Sequence, residues 1–164
     1  MEAMFSRSSE MTLVDATQSC TFSEATAQGD ALHAIDGDTN GDWFANSMAH
    51  ICFTTGDKWL KIDLSPAYHN YFISNIRIYN RVDCCQARLV NTYVQILNAD
   101  GEIIASKEIT DLGSNTDVVD VAFDYVTGGE SVRLFRAEEV TFHIAEVMVF
   151  GVSTSFSPSS QPSS

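Results

Sequence analysis

Short runs in which apolar and charged residues alternate dominate the middle of this chain. The clearest is residues 59–64, where every second position is leucine or isoleucine and the positions between them are lysine and aspartate. Because successive side chains of a strand point to opposite faces, this pattern predicts a strand with one buried and one solvated face. Further short runs predict strands at residues 73–79, 93–97, 103–109, 118–126, 131–136 and 141–150.

Turn signals lie between these runs, and no long segment keeps the 3.6-residue period of a major helix. Residues 98–101, Asn-Ala-Asp-Gly, predict a hairpin turn because Gly101 can adopt the positive φ that closes such a loop. Seven or eight short strands with turns between them are typical of an all-β protein, either an antiparallel β-sandwich or a jelly roll. A chain of 164 residues with 45% apolar residues suits one domain with a proper core.

Composition sets the expected limits of that domain. We expect the ordered part to span residues 12–152, after an N-terminal segment, residues 1–11, that is disordered or a remnant of cloning. Residues 153–164 are mostly serine and proline without a charge, so they cannot bury enough apolar area to offset the entropy of ordering. They predict a linker, the start of a Ser/Pro stalk, or a frayed terminus.

The charge of the chain excludes some classes of binding partner. A formal net charge of -13 argues against nucleic acid or an anionic membrane, since either needs a basic surface to displace counterions. No run of eighteen apolar residues is present, which predicts no membrane-spanning helix. Residues 1–15 have neither the basic region nor the apolar block of a secretory signal, but this says little about the compartment.

The segment 80–88 concentrates unusual chemistry in nine residues. It holds Arg81, Asp83, Arg88 and the adjacent pair Cys84 and Cys85. Two guanidinium groups can converge on one small polar ligand while the carboxylate fixes the direction of one of them, which is suited to reading hydroxyl groups. The alternative is a solvated charge cluster with two ordinary cysteines, and four cysteines in the chain allow three pairings.

A second segment, residues 31–44, places Asp36, Asp38, Asn40 and Asp42 in one glycine-containing loop. Oxygen ligands of this kind assemble sites for hard cations, and calcium is the natural candidate. The spacing is not that of an EF-hand, so such a site needs a ligand from elsewhere in the chain. An acidic turn without metal is the alternative.

Seven short motifs in this order resemble the F-type lectins, or fucolectins, which have the discoidin-like galactose-binding-domain fold. The sharpest is Arg81-x-Asp83-Cys84-Cys85-x-x-Arg88 preceded by a histidine, and the resemblance covers about residues 14–152. The other motifs are Gln18-Ser19, residues 34–38 (Ala-Ile-Asp-Gly-Asp), Trp43-Phe44, Ser47-Met48-Ala49-His50, residues 59–64 and Ala145-Glu146-Val147.

This resemblance implies a site for terminal α-L-fucose on glycans. His50, Arg81 and Arg88 would donate hydrogen bonds to the axial 4-hydroxyl and ring oxygen of the sugar, and Asp83 would orient Arg88. His33, His69 and His143 are poorer candidates for the histidine. The resemblance also implies a disulfide between Cys84 and Cys85 against the sugar, which leaves Cys20 with Cys52, and aromatic contacts from Trp43 and Phe44 to the 6-methyl group.

The resemblance further implies a structural calcium ion. Its ligands would be the carbonyl groups of two residues and the side chains of four others, one of which, Asp38, can also use its backbone. These residues are His33 and Ala145 for the carbonyls, and Asp36, Asp38, Ser47 and Glu146 for the side chains. Glu146 would be the distant group that closes the loop.

We expect a binding protein and not an enzyme, since glycoside hydrolysis usually needs two facing carboxylates and no Ser-His-Asp or zinc signature is present. The expected partners are fucosylated glycans or glycoproteins, with avidity from oligomerisation or a multidomain parent chain. The expected location is secreted, extracellular or at the cell surface. The alternative is a discoidin-type adhesion module that binds protein, phospholipid or another galacto-configured sugar.

Overall fold

The computed structural model describes residues 8–22, 29–52, 56–137 and 141–153. In these residues ten strands follow one another with only short 3-10 turns between them, at Ala31–Ile35, Trp43–Ala45, Pro66–Tyr68 and Gln86–Leu89. The strands are β1 (Ser9–Glu10), β2 (Leu13–Gln18), β3 (Ala49–His50), β4 (Lys58–Leu64), β5 (Phe72–Asn80), β6 (Tyr93–Leu97), β7 (Ile103–Glu108), β8 (Val118–Val126), β9 (Ser131–Arg136) and β10 (His143–Val152).

The described strands form two antiparallel five-stranded sheets. One has the order β1-β10-β5-β8, with β3 also paired to β10, and the other has the order β2-β4-β9-β6-β7. Their buried faces supply one continuous core, to which β4 contributes Leu60, Ile62 and Leu64. Full burial of each such side chain stabilises the fold by about 1.5–3 kcal/mol. The predicted β-sandwich is therefore confirmed.

All seven predicted strands are present, with ends that differ by no more than two residues from the prediction. The predicted hairpin turn joins β6 to β7, and Gly101 has a φ of +79°. The three strands that were not predicted are β1, β2 and β3. Two of them have only two residues each, and β2 buries one of its six residues, so none carries an alternating pattern.

The expected start of the ordered domain at residue 12 needs correction. Strand β1 pairs with β10, with Glu10 opposite Phe150, and Met11 is fully buried in the core. A buried methionine between two paired strands is part of the domain, so order begins no later than Ser8. Residues 1–7 and 154–164, to which most of the terminal predictions refer, lie outside the described residues.

The described part of the chain has no helix with the length and hydropathy required to cross a membrane. Both of its disulfides have the pairings that the family resemblance implied. Cys20 is joined to Cys52, and Cys84 to Cys85. The first bridge spans 32 residues of sequence and fastens the segment after β2 to the segment after β3.

We predict that replacing Cys20 and Cys52 together with alanine will lower the free energy of unfolding by about 2–4 kcal/mol, because the unfolded chain then gains the entropy of an open loop. Denaturant titration against the parent chain measures the difference. A change below about 0.5 kcal/mol would contradict a stabilising role for this bridge.

Candidate functional site

Three strand ends of one sheet meet at the predicted site. The beginning of β10 pairs with β3 on one side, with His143 opposite His50, and with the end of β5 on the other, with Ile144 opposite Asn80. Arg81 follows directly after β5. Sheet pairing therefore brings together two histidines and an arginine that are distant in sequence.

The guanidinium of Arg81 is fixed by Asp83. Its Nε donates to Asp83 Oδ1 at 2.8 Å and its second terminal nitrogen donates to Oδ2 at 2.9 Å. The backbone N–H of Trp43 donates to the same Oδ1 at 3.0 Å. The two side chains are only 10% and 19% exposed, and the hydrogen bonds from Arg81 lower the pKa of Asp83 to about 2.

This geometry corrects one implied role. Asp83 was expected to orient Arg88, but both of its oxygens bind Arg81. The reason is local, because the short turn after β5 folds residue 83 back onto residue 81. The carboxylate also holds the turn Trp43–Ala45 against this loop, so it connects the two predicted motifs.

His50 is buried and donates a hydrogen bond from one of its ring nitrogens. Its Nδ1 lies 2.9 Å from the carbonyl oxygen of Ile51, so this nitrogen carries the proton and donates. Burial, together with the positive charges of Arg81 and Arg88, lowers the pKa of His50 to about 4, so the ring is neutral at pH 7. Nε2 then presents a lone pair. In this tautomer His50 would accept from a ligand, whereas the donor role that the resemblance implied stays a prediction.

An aromatic wall stands beside these polar groups. The Trp43 ring meets the His50 ring edge-on with centroids 4.8 Å apart, and Arg81 lies 5.6 Å above Trp43. Phe22, which the sequence did not indicate, stacks on His50 at 4.7 Å. Phe44 is 83% exposed, so of the two predicted aromatics Trp43 belongs to the wall and Phe44 projects toward solvent.

Arg88 approaches the same histidines from the 3-10 turn Gln86–Leu89. One of its terminal nitrogens lies 3.4 Å from Nε2 of His143, whose ring centroid is 5.0 Å from that of His50. Arg136 on β9 donates to the carbonyl oxygens of Arg88 and Val90 and thereby holds the backbone of the turn. His143 was expected to be a poorer candidate than His50, yet the structure places it beside Arg88.

The adjacent disulfide shapes the turn that carries Arg88. The Cα atoms of Cys84 and Cys85 are 3.7 Å apart, and Cys85 has a φ of +66°. The carbonyl of Cys85 accepts the backbone N–H of Arg88 at 3.0 Å. Both cysteines are half-buried, so the bridge offers a rigid apolar surface next to the two arginines.

The acidic loop is built by its own side chains. Asp36, Asp38, Asn40 and Asp42 each accept a hydrogen bond from the backbone N–H two residues later, at 2.9–3.0 Å. We call these four residues the Asx ladder. Side chains of this type commonly bond to the backbone two residues on. The ladder ends at the turn Trp43–Ala45 and so delivers Trp43 to the site.

Gly41 is the point at which this loop touches β5. Its carbonyl accepts the N–H of Val82 at 2.8 Å. A Cβ atom at this position would collide with the carbonyl oxygen of Asn80 and lie 3.2 Å from the nitrogen of Val82. The close contact of the two backbones therefore requires glycine.

Two of the predicted calcium ligands lie together. Glu146 Oε2 accepts the N–H of Gly37 at 3.0 Å, whereas its Oε1 is buried and has no hydrogen-bond partner among the described residues. Burial, then Asp36 and the charge of Glu10, raise the pKa of Glu146 to about 8. These three carboxylates line a cavity of about 410 Å³. An orphaned oxygen among like charges fits a hard cation.

The other predicted ligands are close in sequence to residues that line this cavity, but no hydrogen bond in the described residues joins them to Glu146. The Ser47 hydroxyl donates to the carbonyl of Asn40 at 2.6 Å, and the ring of His33 lies 3.0 Å from the carbonyl of Met48. Ala145 is the extra residue of a β-bulge in β10, a position that lies outside regular pairing. No group of three or more His, Cys, Asp or Glu side chains in the described residues is arranged to hold a metal.

Comparison with known proteins shows which family this chain resembles. The profile of the NedA-like, galactose-binding domain family matches residues 33–134. The fucolectin of the eel Anguilla anguilla is 28% identical over 147 residues, which cover 89% of this chain and 79% of the eel protein.

Two solved structures are also similar. A fucose-binding module of Streptococcus pneumoniae is 26% identical, with a TM-score of 0.72, and the match covers 86% of this chain and 96% of the module. A fucolectin from striped bass (Morone saxatilis) serum is 25% identical, with a TM-score of 0.69 over 87% of this chain and 49% of that one. The resemblance to F-type lectins is confirmed, and the names of these relatives describe carbohydrate-binding proteins.

We predict that Gly41→Ala will lower the free energy of unfolding by about 1–3 kcal/mol, because the added methyl group forces the acidic loop away from β5. Thermal denaturation measures the loss. Gly113→Ala is the comparison, since a Cβ there meets no atom within 4 Å and its φ of +69° alone should cost alanine about 1 kcal/mol. We expect Gly41→Ala to be the more destabilising of the two. Equal melting temperatures for Gly41→Ala and the parent chain would contradict the close contact.

A second prediction concerns acid. Burial, with the charges of His50, Arg81 and Arg88, lowers the pKa of His143 to about 3, so the folded state binds this proton less tightly than the unfolded chain does. Stability from His143 is therefore lost as the pH falls from about 6.5 toward 3, by up to about tenfold in the unfolding constant per pH unit.

The difference in unfolding free energy between the parent chain and His143→Gln isolates this effect, because the two chains share their carboxylates. We expect the parent chain to lose stability relative to the variant as the pH is lowered from 6.5 to 4. A difference that does not change over this interval would show that His143 is not buried as a neutral ring.

Proposed function

Since the chain belongs to the NedA-like, galactose-binding domain family, we propose that it is a lectin domain that binds carbohydrate and recognises terminal α-L-fucose on glycans. The observation that carries the proposal is the convergence of His50, Arg81 and Arg88 beside the Cys84–Cys85 disulfide. The eel and bass relatives are named fucolectins, and the S. pneumoniae relative is named a fucose-binding module.

The polar groups of the site match a sugar hydroxyl. A hydroxyl group donates one hydrogen bond and accepts others, and the site offers the lone pair of His50 Nε2 together with guanidinium donors from Arg81 and Arg88. An axial 4-hydroxyl would donate to His50 and accept from the arginines. A gluco-configured sugar carries this hydroxyl equatorially and would leave half-buried charged donors unpaired, at a cost of about 1–3 kcal/mol or more.

The apolar groups would select fucose over galactose. Trp43 and the disulfide of Cys84 with Cys85 border the polar groups, and they would contact the 6-methyl group of fucose. Galactose carries a hydroxyl at this position, which would lose its hydration there without gaining a partner. Phe44, at the exposed rim, would contact the methyl group only at its edge.

We further propose that calcium binds beside Asp36 and Glu146 and stabilises the acidic loop. The predicted ligands include the carbonyl oxygens of His33 and Ala145 and the side chains of Asp36, Ser47 and Glu146. Asp38 would bind the ion through its backbone or its carboxylate. Support comes from the orphaned Oε1 of Glu146 and from the bulge at Ala145. The ion would neutralise the carboxylates and has no part in contacting the sugar.

We extend the proposal to the location and the avidity of the protein. Two disulfides and a relative from fish serum support a secreted or cell-surface protein. One monosaccharide site of this size would bind weakly, so avidity would come from oligomerisation or from a multidomain parent chain. A discoidin-type adhesion module, or one for another galacto-configured sugar, is the alternative, and a glycan array distinguishes it from the fucose lectin.

We predict that Arg81→Ala will reduce affinity for L-fucose by at least about tenfold, because it removes a directed charge-assisted donor. Isothermal titration calorimetry measures the affinity. The matched control is Arg77→Ala, which removes an arginine paired with an aspartate at the same 2.8 Å distance but on the outer face of β5. If both variants bind L-fucose like the parent chain, the site assignment is wrong.

We also predict that removing calcium with a chelator will lower the melting temperature, because the folded chain then loses the free energy of binding the ion. Added calcium should restore it in the parent chain and not in Glu146→Gln. Glu108→Gln, on the exposed strand β7, is the control and should respond to calcium like the parent chain. A melting temperature that is indifferent to chelator would contradict the calcium proposal.

A further inference from the structure

Each arginine of the site has a neighbour within the site that can fix the direction of its guanidinium group. Arg81 is held by a carboxylate, Asp83, with two hydrogen bonds of 2.8 and 2.9 Å. Arg88 has a neighbour of another type, because one of its terminal nitrogens lies 3.4 Å from Nε2 of His143. A guanidinium group is a donor only, so Nε2 of His143 must be the acceptor in this contact.

His143 is placed for this role by the sheet and not by the loops. It begins β10, it is 1% exposed, and it stands directly opposite His50 in the pairing of β10 with β3. The two rings lie 5.0 Å apart, and Trp43 and Phe22 also pack against the ring of His50. A ring packed between strands has little freedom, so it offers Arg88 an acceptor in a fixed position.

The backbone of Arg88 is held separately. Arg136 binds the carbonyl oxygens of Arg88 and Val90, and the carbonyl of Cys85 accepts the Arg88 N–H. These contacts place the Cα atom of Arg88 but leave the direction of its long side chain to other groups. The contact with His143 acts at the far end of that side chain, where the sugar would bind.

We propose that His143 is a positioning residue that directs the guanidinium of Arg88 into the sugar site by accepting a hydrogen bond at Nε2. This inference rests on the proposed function for its ligand, but the orientation of Arg88 can be measured without any sugar. We expect His143 not to touch the sugar itself, because it is only 1% exposed.

The first test is a double-mutant cycle measured by calorimetry with L-fucose. His143→Leu removes the acceptor and should weaken binding about tenfold, whereas His143→Gln keeps an acceptor and should bind within about threefold of the parent chain. In an Arg88→Lys background, His143→Leu should change the affinity by less than about twofold, since lysine lacks the guanidinium group that His143 would position. His69→Leu, a histidine remote from the site, is the control and should leave affinity unchanged.

The second test needs no ligand and follows the guanidinium resonances of Arg88 by nitrogen-15 NMR. We expect slow exchange of its terminal N–H groups in the parent chain and in His143→Gln, and fast averaging in His143→Leu. The proposal is overturned if His143→Leu weakens binding equally in both backgrounds, if His143→Gln fails to rescue, or if the Arg88 resonances are the same in all three chains. If the parent chain does not bind L-fucose, the proposed function fails while the NMR comparison still decides the role of His143.

Discussion

The pairing of β10 with two partners is the constraint on which the site depends. Its first residues hydrogen bond to β3 on one side and to the end of β5 on the other. His50, His143 and Arg81 become neighbours for this reason alone, although nearly a hundred residues separate the first from the second. The turn Trp43–Ala45 is anchored to this junction through Asp83, and the residues before it through the contact between Gly41 and Val82.

The junction is also the reason why the histidines are unusual. A sheet end that is covered by Phe22 and Trp43 removes water from His50, and two cations stand nearby. Desolvation and like charge act in the same direction, so both rings remain neutral and keep a lone pair. Donors from arginine and acceptors from histidine are thereby combined in one small volume, which suits a ligand whose hydroxyl groups both give and receive protons.

Much of the fold could be predicted because alternation reports burial directly. Residues 59–64 show a strict period of two, and the structure buries the leucines and isoleucine that the pattern selected. The short motifs likewise identified His50, Arg81 and Asp83 as neighbours. The motifs did not predict which arginine pairs with Asp83, because that choice depends on the curvature of one turn.

The position of His143 in the site could not be predicted from the sequence for a related reason. A β-bulge at Ala145 shifts the faces of β10, so the side to which His143 points cannot be read from the alternation of the strand. Phe22 and Glu10 were missed because each belongs to a segment too short to show a period. Met11 shows the same limit, since a single buried residue before β2 carries no pattern at all.

The Asx ladder has a consequence for how the loop can vary among related chains. Each rung uses a side chain at one position to bind the backbone two positions later, so residues 36, 38, 40 and 42 form a register with a period of two. Exchange of aspartate for asparagine keeps every rung. Insertion of a single residue puts all later rungs out of phase and turns Trp43 away, whereas insertion of two residues adds one rung. Homologous loops that preserve this architecture should therefore differ in length by even numbers.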